Sequence, residues 1–140
     1  MDRKVISNDI LFAAVKDLVD EGKSVTIRPK GESMLPFIRS DRDNVTLERV
    51  TRPLEVGDIV LFRYKGKYVL HRIYFIDGDG LTIMGDGNII GQEHCSESDV
   101  IGIVTEITKE NGHRVKPGKA RMWRALKPLR RWLLAIYRRI

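Results

Sequence analysis

The sequence predicts a mainly β domain, built as coiled antiparallel sheets or a small barrel, with a helix before the β region and another after it. Three observations carry this. Residues 45–108 are dense in short runs of β-branched and aromatic residues. Turn chemistry separates the runs, in Lys65-Gly66-Lys67 and Asp77-Gly78-Asp79-Gly80, and Asn111-Gly112 closes the last of them. Apolar residues at helical spacing flank that region on both sides.

In chain order, Ser7 or Asn8 caps a helix over 8–21 whose Leu11, Phe12, Val15, Leu18 and Val19 recur at helical spacing. Gly22 is its natural stop. Val25 and Ile27 then alternate with polar neighbours, as in a strand, until Pro29. A Gly-Glu-Ser-Met-Leu-Pro turn follows. Strands are expected over 45–50, 58–64, 68–76, 81–84 and 100–108. The chain thus divides into a domain over 1–118, with its β region at 24–108, and a basic amphipathic helical tail over 119–140.

A length of 140 residues is about one domain. The hydrophobic share of 42% and charged share of 31% indicate a soluble, globular chain rather than a disordered one. Cys95 is the single cysteine, so packing rather than an internal disulfide must hold the fold. The net charge of +6 hides an asymmetry. Residues 1–108 carry 14 positive and 18 negative side chains, while residues 109–140 carry 11 positive and one negative. A mildly acidic body is joined to a strongly basic tail. No apolar run approaches the ~18–20 residues that cross a bilayer, and the opening Met1-Asp2-Arg3-Lys4 is unlike a secretory signal. A cytoplasmic protein is expected.

Three polar clusters stand out. In Gly31-Glu32-Ser33-Met34-Leu35-Pro36, glycine and proline constrain a turn that can hold a hydroxyl out of the sheet and leave backbone N–H groups free for an oxyanion. A polar turn serine is the plain alternative. In the strand over 68–76, Val69, His71, Ile73 and Phe75 share one face, so His71 is either a core histidine or a rigidly aimed base. His94 and His113 fall in loops. In Met84-Gly85-Asp86-Gly87-Asn88, Asp86 is either a turn former or a carboxylate that orients an imidazole.

Together these clusters resemble the type I signal peptidases and, more distantly, the LexA-type self-cleaving repressors. The likeness runs from about Ser24 to Thr105. Gly31-x-Ser33-Met34-x-Pro36 is similar to the nucleophile box. Leu54-Glu55-Val56-Gly57-Asp58-Ile59-Val60 is similar to the strand-leading box after it. Tyr68-Val69-Leu70-His71-Arg72 is similar to the base box, and Gly85-Asp86-x-Asn88 to the last box. Typical bacterial members and the LexA type place lysine as base; the archaeal and endoplasmic-reticulum type places histidine, as here. Lys65 and Lys67 lie in the turn before the strand, so a Ser–Lys dyad would need a different alignment. Two features depart from the family. The second aspartate of the histidine type, about six positions after the Gly-Asp pair, is missing from Ile89-Ile90-Gly91-Gln92-Glu93, and the N-terminal membrane anchor is absent.

The resemblance implies a serine endopeptidase. Ser33 is the nucleophile, His71 its base and Asp86 the orienting acid, with Glu93 a weaker substitute. Backbone N–H groups around Gly31–Ser33 bind the oxyanion, and Gly31 and Met34 are the residues that meet substrate or oxyanion. Serine needs such a base to lose its proton during attack, and unperturbed imidazole titrates at ~6.5, close to working pH. The substrate would be an extended peptide paired to a strand edge. No cofactor and no metal is expected, since His71, His94, Cys95 and His113 lack paired ligand spacing. Two alternatives are a peptide-binding module without turnover and, from the tail and a pI near 9.6, a nucleic-acid-binding protein. The nucleic-acid reading is disfavoured because no helix-turn-helix precedes the β region. The tail itself has two readings. It lies on an anionic membrane at the cytoplasmic face, or its apolar stripe packs on the β body.

Overall fold

The structure is a computed structural model that describes residues 8–31 and 33–139, with side chains from residue 12 onward. Helix α1 spans Asn8–Asp20. Val15 and Val19, one turn apart, are buried against the sheet. The expected cap Ser7 and the side chain of Leu11 lie outside the described residues. Gly22 ends the helix with φ +86°. Its N–H donates to the Val19 carbonyl, and that of Lys23 to the Leu18 carbonyl. This is the left-handed glycine stop that leaves no last-turn carbonyl stranded.

Eight strands follow: β1 Val25–Ile27, β2 Asn44–Glu48, β3 Ile59–Tyr64, β4 Lys67–Asp77, β5 Gly80–Met84, β6 Glu93–Ser96, β7 Val100–Thr108 and β8 Arg114–Val115. All pairings are antiparallel. They form one curled sheet in the order β1-β2-β7-β3-β4-β5-β6, with β8 against β7. The expected β class is therefore correct, and the five longer strands begin and end within two residues of their predicted limits. Strands β6 and β8 were not expected. Glu93-His94-Cys95-Ser96 has no apolar alternation, and pairing with β5 makes it a strand. His94 consequently sits in a strand rather than a loop, with its Nδ1 3.2 Å from Thr82 Oγ1 at the surface.

Strand β3 explains the architecture. Ile59, Val60, Leu61 and Phe62 are all buried. Ile59 and Leu61 join a cluster with Val15, Val19, Met34 and Ile38, while Val60 and Phe62 join a second with Ile73, Leu81 and Ile83. A curled sheet covered on both faces requires such an unbroken apolar run. In β4 a bulge between Ile73 and Phe75 shifts the register. Phe75 is therefore exposed, not inward with His71 and Ile73 as strict alternation predicts.

The tail is not one helix. Helix α2, Arg121–Ala125, is followed by a 3₁₀ turn at Lys127–Leu129 and by α3, Arg130–Arg139. Pro128 lies in the 3₁₀ turn, where its missing N–H costs little. The tail packs on the β body through Leu134 and, less expectedly, Arg130, both fully buried.

Before α2, Lys119 ties the chain to the turn leading into β3. Asp58 accepts two hydrogen bonds from Arg52, at 2.9 Å each, one from the Glu55 N–H at 2.8 Å, and another from Lys119 Nζ. Burial pushes the Asp58 carboxyl up, but Arg52, Lys119 and the Glu55 N–H outweigh it and hold the group below its ordinary value. A depressed carboxylate contributes stability that is present above its unfolded pKa and lost as pH falls through the folded one. Urea unfolding from neutral pH down to about pH 2 should therefore show a loss of stability starting near ~4, the unfolded value. Asp58→Asn should lower stability at neutral pH and flatten that acid limb; an unchanged limb would remove Asp58 from the account.

Candidate active site

The turn over 31–38 is built from its two ends. Gly31 adopts φ +92°, and its N–H donates to Ser40 Oγ at 2.9 Å. The N–H groups of Phe37 and Ile38 return to the Met34 carbonyl at 3.0 Å, and the Leu35–Pro36 peptide is cis. Met34 and Ile38 anchor the turn in the core. Ser33 is left half-buried at the rim. Two expectations change. The Gly31 amide is committed to Ser40 and is no free oxyanion donor. The Met34 side chain is core, so only its backbone can face a substrate.

His71 projects from β4 directly opposite Val60 of β3. Its ring lies 6.4 Å from that of Phe62. It is buried, and its Nδ1 is hydrogen-bonded to Glu93 Oε1 at the start of β6. An ionised carboxylate can only accept, so in a neutral imidazole bonded to one, Nδ1 carries the proton and Nε2 the lone pair. The carboxylate bonded to His71 is Glu93, where the sequence favoured Asp86. Glu93 is the weaker substitute in the sequence reading because that stretch holds no aspartate; pairing of β6 with β5 brings it to the imidazole.

Nε2 and the Ser33 turn come together at Gly85. A Cβ built on Gly85 would stand 2.3 Å from the Ser33 carbonyl oxygen, 2.8 Å from Asn88 Nδ2 and 2.9 Å from His71 Nε2. The three boxes therefore meet at one point, and only a residue without a side chain fits there. The Gly87 N–H locks the arrangement by donating to the Ser33 carbonyl at 2.7 Å. Among the described residues Ser33 Oγ makes no hydrogen bond to His71. Of the two lysines near in sequence, Lys65 is directed elsewhere, with its Nζ 5.2 Å from the Tyr64 ring centre. Burial pushes the Cys95 thiol up to about 11, so it offers little thiolate near neutral pH.

Asp86 belongs to a buried network behind the site. Arg72 Nε donates to both of its oxygens, at 3.0 and 2.9 Å, and Tyr74 Oη donates at 3.0 Å. Arg72 Nη1 donates to the carbonyls of Gly57 and Gly118. Its Nη2 has no hydrogen-bond partner among the described residues, but the guanidinium carbon lies 5.1 Å from the Phe37 ring centre. Burial pushes the Asp86 carboxyl above its ordinary value, against the pull of Arg72. Burial and Asp86 push the Tyr74 phenol up to about 12, so it stays a donor. Arg130 of α3 donates to Tyr74 Oη at 2.6 Å and to the Asn88 carbonyl at 3.0 Å. Trp123 Nε1 donates to the Asp86 carbonyl at 2.8 Å. The tail thus grips the loop whose other side meets Ser33 and His71. The sequence held one clue to this network. Residues 71 and 72 alternate across a strand, so a buried His71 puts Arg72 on the other covered face, where it needs a carboxylate.

Three substitutions test this packing. Gly85→Ala places a methyl against a backbone oxygen and should cost about 1–3 kcal/mol in urea unfolding; a neutral effect would mean that the turn and the imidazole are not in contact. Arg72→Met should cost about 3–5 kcal/mol by stranding Asp86, and adding Asp86→Leu should recover much of that. Additive losses would show that the pair is not coupled.

No curated protein matches the chain. The profile of the family described as Peptidase S24-like does match, over residues 3–106. That span holds Ser33, His71, Gly85 and Glu93 and stops before the tail. The chain belongs to the Peptidase S24-like family, within the superfamily of LexA-type proteins and signal peptidases.

Proposed function

We propose that the protein is a serine endopeptidase in which Ser33 attacks, His71 is the base and Glu93 orients it. The observation that carries this is the placement of His71: one nitrogen is held by a partly buried carboxylate, and the other lies beside the same point at Gly85 as the Ser33 carbonyl. A neutral imidazole so fixed takes the Ser33 proton as the hydroxyl adds to a peptide carbonyl, then returns it to the leaving amine. Glu93 stabilises the imidazolium formed between those steps. The N–H groups of Ser33 and Met34 are the oxyanion donors on this reading, because that of Gly31 is used by Ser40. Asp86 fixes the loop over 85–88 and takes no part in proton transfer. The base makes the site one of the histidine type. A peptide or leader sequence in extended form is the substrate class, added to a sheet edge.

A second reading is a peptide-binding module without turnover. It is favoured by the lack of a Ser33 Oγ–His71 bond, although such bonds are often loose before substrate binds.

Hydrolysis of a mixed peptide library decides between them. Ser33→Ala and His71→Ala should each abolish cleavage, because members of one catalytic unit do not contribute additively. Glu93→Gln should lower the rate by about 10²–10⁴-fold with little loss of stability. Asp86→Asn should mainly lower stability. The rate should rise with pH along one limb between about pH 5 and 8, the range of histidine bases; a limb well above that would indicate lysine. Equal, undetectable cleavage by folded wild type and Ser33→Ala would favour the binding module. Full activity in Glu93→Gln with loss in a well-folded Asp86→Asn would return the acid to Asp86.

A further inference from the structure

The tail's two faces are not divided as its sequence suggests. A helical projection puts arginine on the solvent side and the apolar stripe on the body. In α3 the body side holds Arg130 and Leu134, both fully buried. At about 100° per residue, Trp132 and Ile136 stand on the far side of the helix from them. They are 70% and 60% exposed, and Leu129, one turn before Trp132, is 52% exposed. Met122 of α2 is exposed as well. Large apolar side chains thus form a ridge where water-facing polar residues belong.

Charge says what covers that ridge. Several cations of residues 109–140 are used inside the molecule: Lys109 by Asp43, Arg114 by Glu106, Lys119 by Glu55 and Asp58, and Arg130 by Tyr74 and Asn88. Arg121, Arg131 and Arg139 are exposed and have no acidic partner among the described residues. The outward surface is therefore apolar and cationic together. An indole and an aliphatic chain with guanidinium groups beside them suit the boundary between acyl chains and anionic headgroups. No described helix is long and apolar enough to cross a bilayer, and α3 with its preceding turn is of a length to lie in the headgroup plane.

We propose that the Leu129–Trp132–Ile136 ridge, with Arg121, Arg131 and Arg139, docks the protein on an anionic lipid surface. The body face of the same segment meanwhile holds the loop over 85–88. Removing the tail would strip Trp123 and Arg130 from that loop, so truncation cannot separate docking from folding, whereas changes on the outward ridge can.

The test is co-sedimentation of the full chain with vesicles. Vesicles of phosphatidylglycerol and phosphatidylcholine should bind it, pure phosphatidylcholine should not, and added salt should weaken binding. Trp132→Ser with Ile136→Ser should bind about tenfold more weakly or worse, with an unchanged thermal melt. Arg131→Gln and Arg139→Gln should each weaken binding about fivefold. Three results would overturn the proposal. The full chain ignores anionic vesicles. The chain is a dimer by light scattering that Trp132→Ser/Ile136→Ser converts to a monomer, which makes the ridge a contact between copies. Or the chain binds duplex DNA more tightly than vesicles, and the ridge substitutions leave vesicle binding unchanged. Peptide cleavage enters none of these readouts, so the proposal stands or falls apart from the catalytic one.

Discussion

Arg72 and Asp86 are both fully buried, and each is tolerable only because of the other. An isolated charge of either sign would be prohibitively costly in that position. The pair also has to be completed, since a guanidinium has more donors than one carboxylate can accept. The completion draws in the rest of the protein. Gly57 supplies a carbonyl from the turn leading into β3, and Gly118 supplies one from the approach to the tail. Tyr74 fills the carboxylate from the same strand. Three segments distant in sequence are thus fixed to one ion pair.

Aromatic rings extend that fixation to the Ser33 turn and the tail. Phe37, four residues after Ser33, packs under the Arg72 guanidinium and meets the Trp123 ring edge-on at 6.2 Å. Arg130 lies over the Tyr74 and Trp123 rings, 5.4 and 5.3 Å from their centres. Cations stacked on aromatic faces recover part of what their unpaired N–H groups lose on burial. Tail, loop and turn are consequently positioned by one continuous contact set. A site that needs its nucleophile and base held within a fraction of an ångström depends on such support behind it.

What was legible in the sequence follows from which interactions are local. The runs Ile59–Phe62 and Val100–Thr108 declare themselves because their burial comes from their own apolar residues. Ser33, His71 and Asp86 could be singled out because glycine and proline spacing, strand alternation and the order of the boxes are written along the chain. Strand β6 was invisible because its pairing with β5, not its composition, makes it a strand. Glu93 was undervalued for the same reason: a carboxylate's partner depends on where a long loop returns, and loop length does not state that. Arg130 was the hardest case. Nothing in a run of arginines marks the one that will be buried, because the cavity that receives it is made by Tyr74, Asn88 and Trp123 from elsewhere.

The placement of Arg130 also bears on how the tail relates to the matched family region. Residues 3–106 carry the proposed chemistry, yet the loop over 85–88 within that span takes two hydrogen bonds from residues beyond it. In chain terms the tail is an addition. In physical terms it closes the back of the site, by capping carbonyls at Asp86 and Asn88 that would otherwise face a partly apolar surface. Any force on the tail is therefore delivered to the loop that abuts Ser33 and His71. Seating the outward ridge on a surface would restrain α3, and through Arg130 would restrain Asn88, whose side chain meets the same point as His71 Nε2. Attachment and site geometry would be coupled through the Arg130 guanidinium and the Trp123 indole rather than through the sheet.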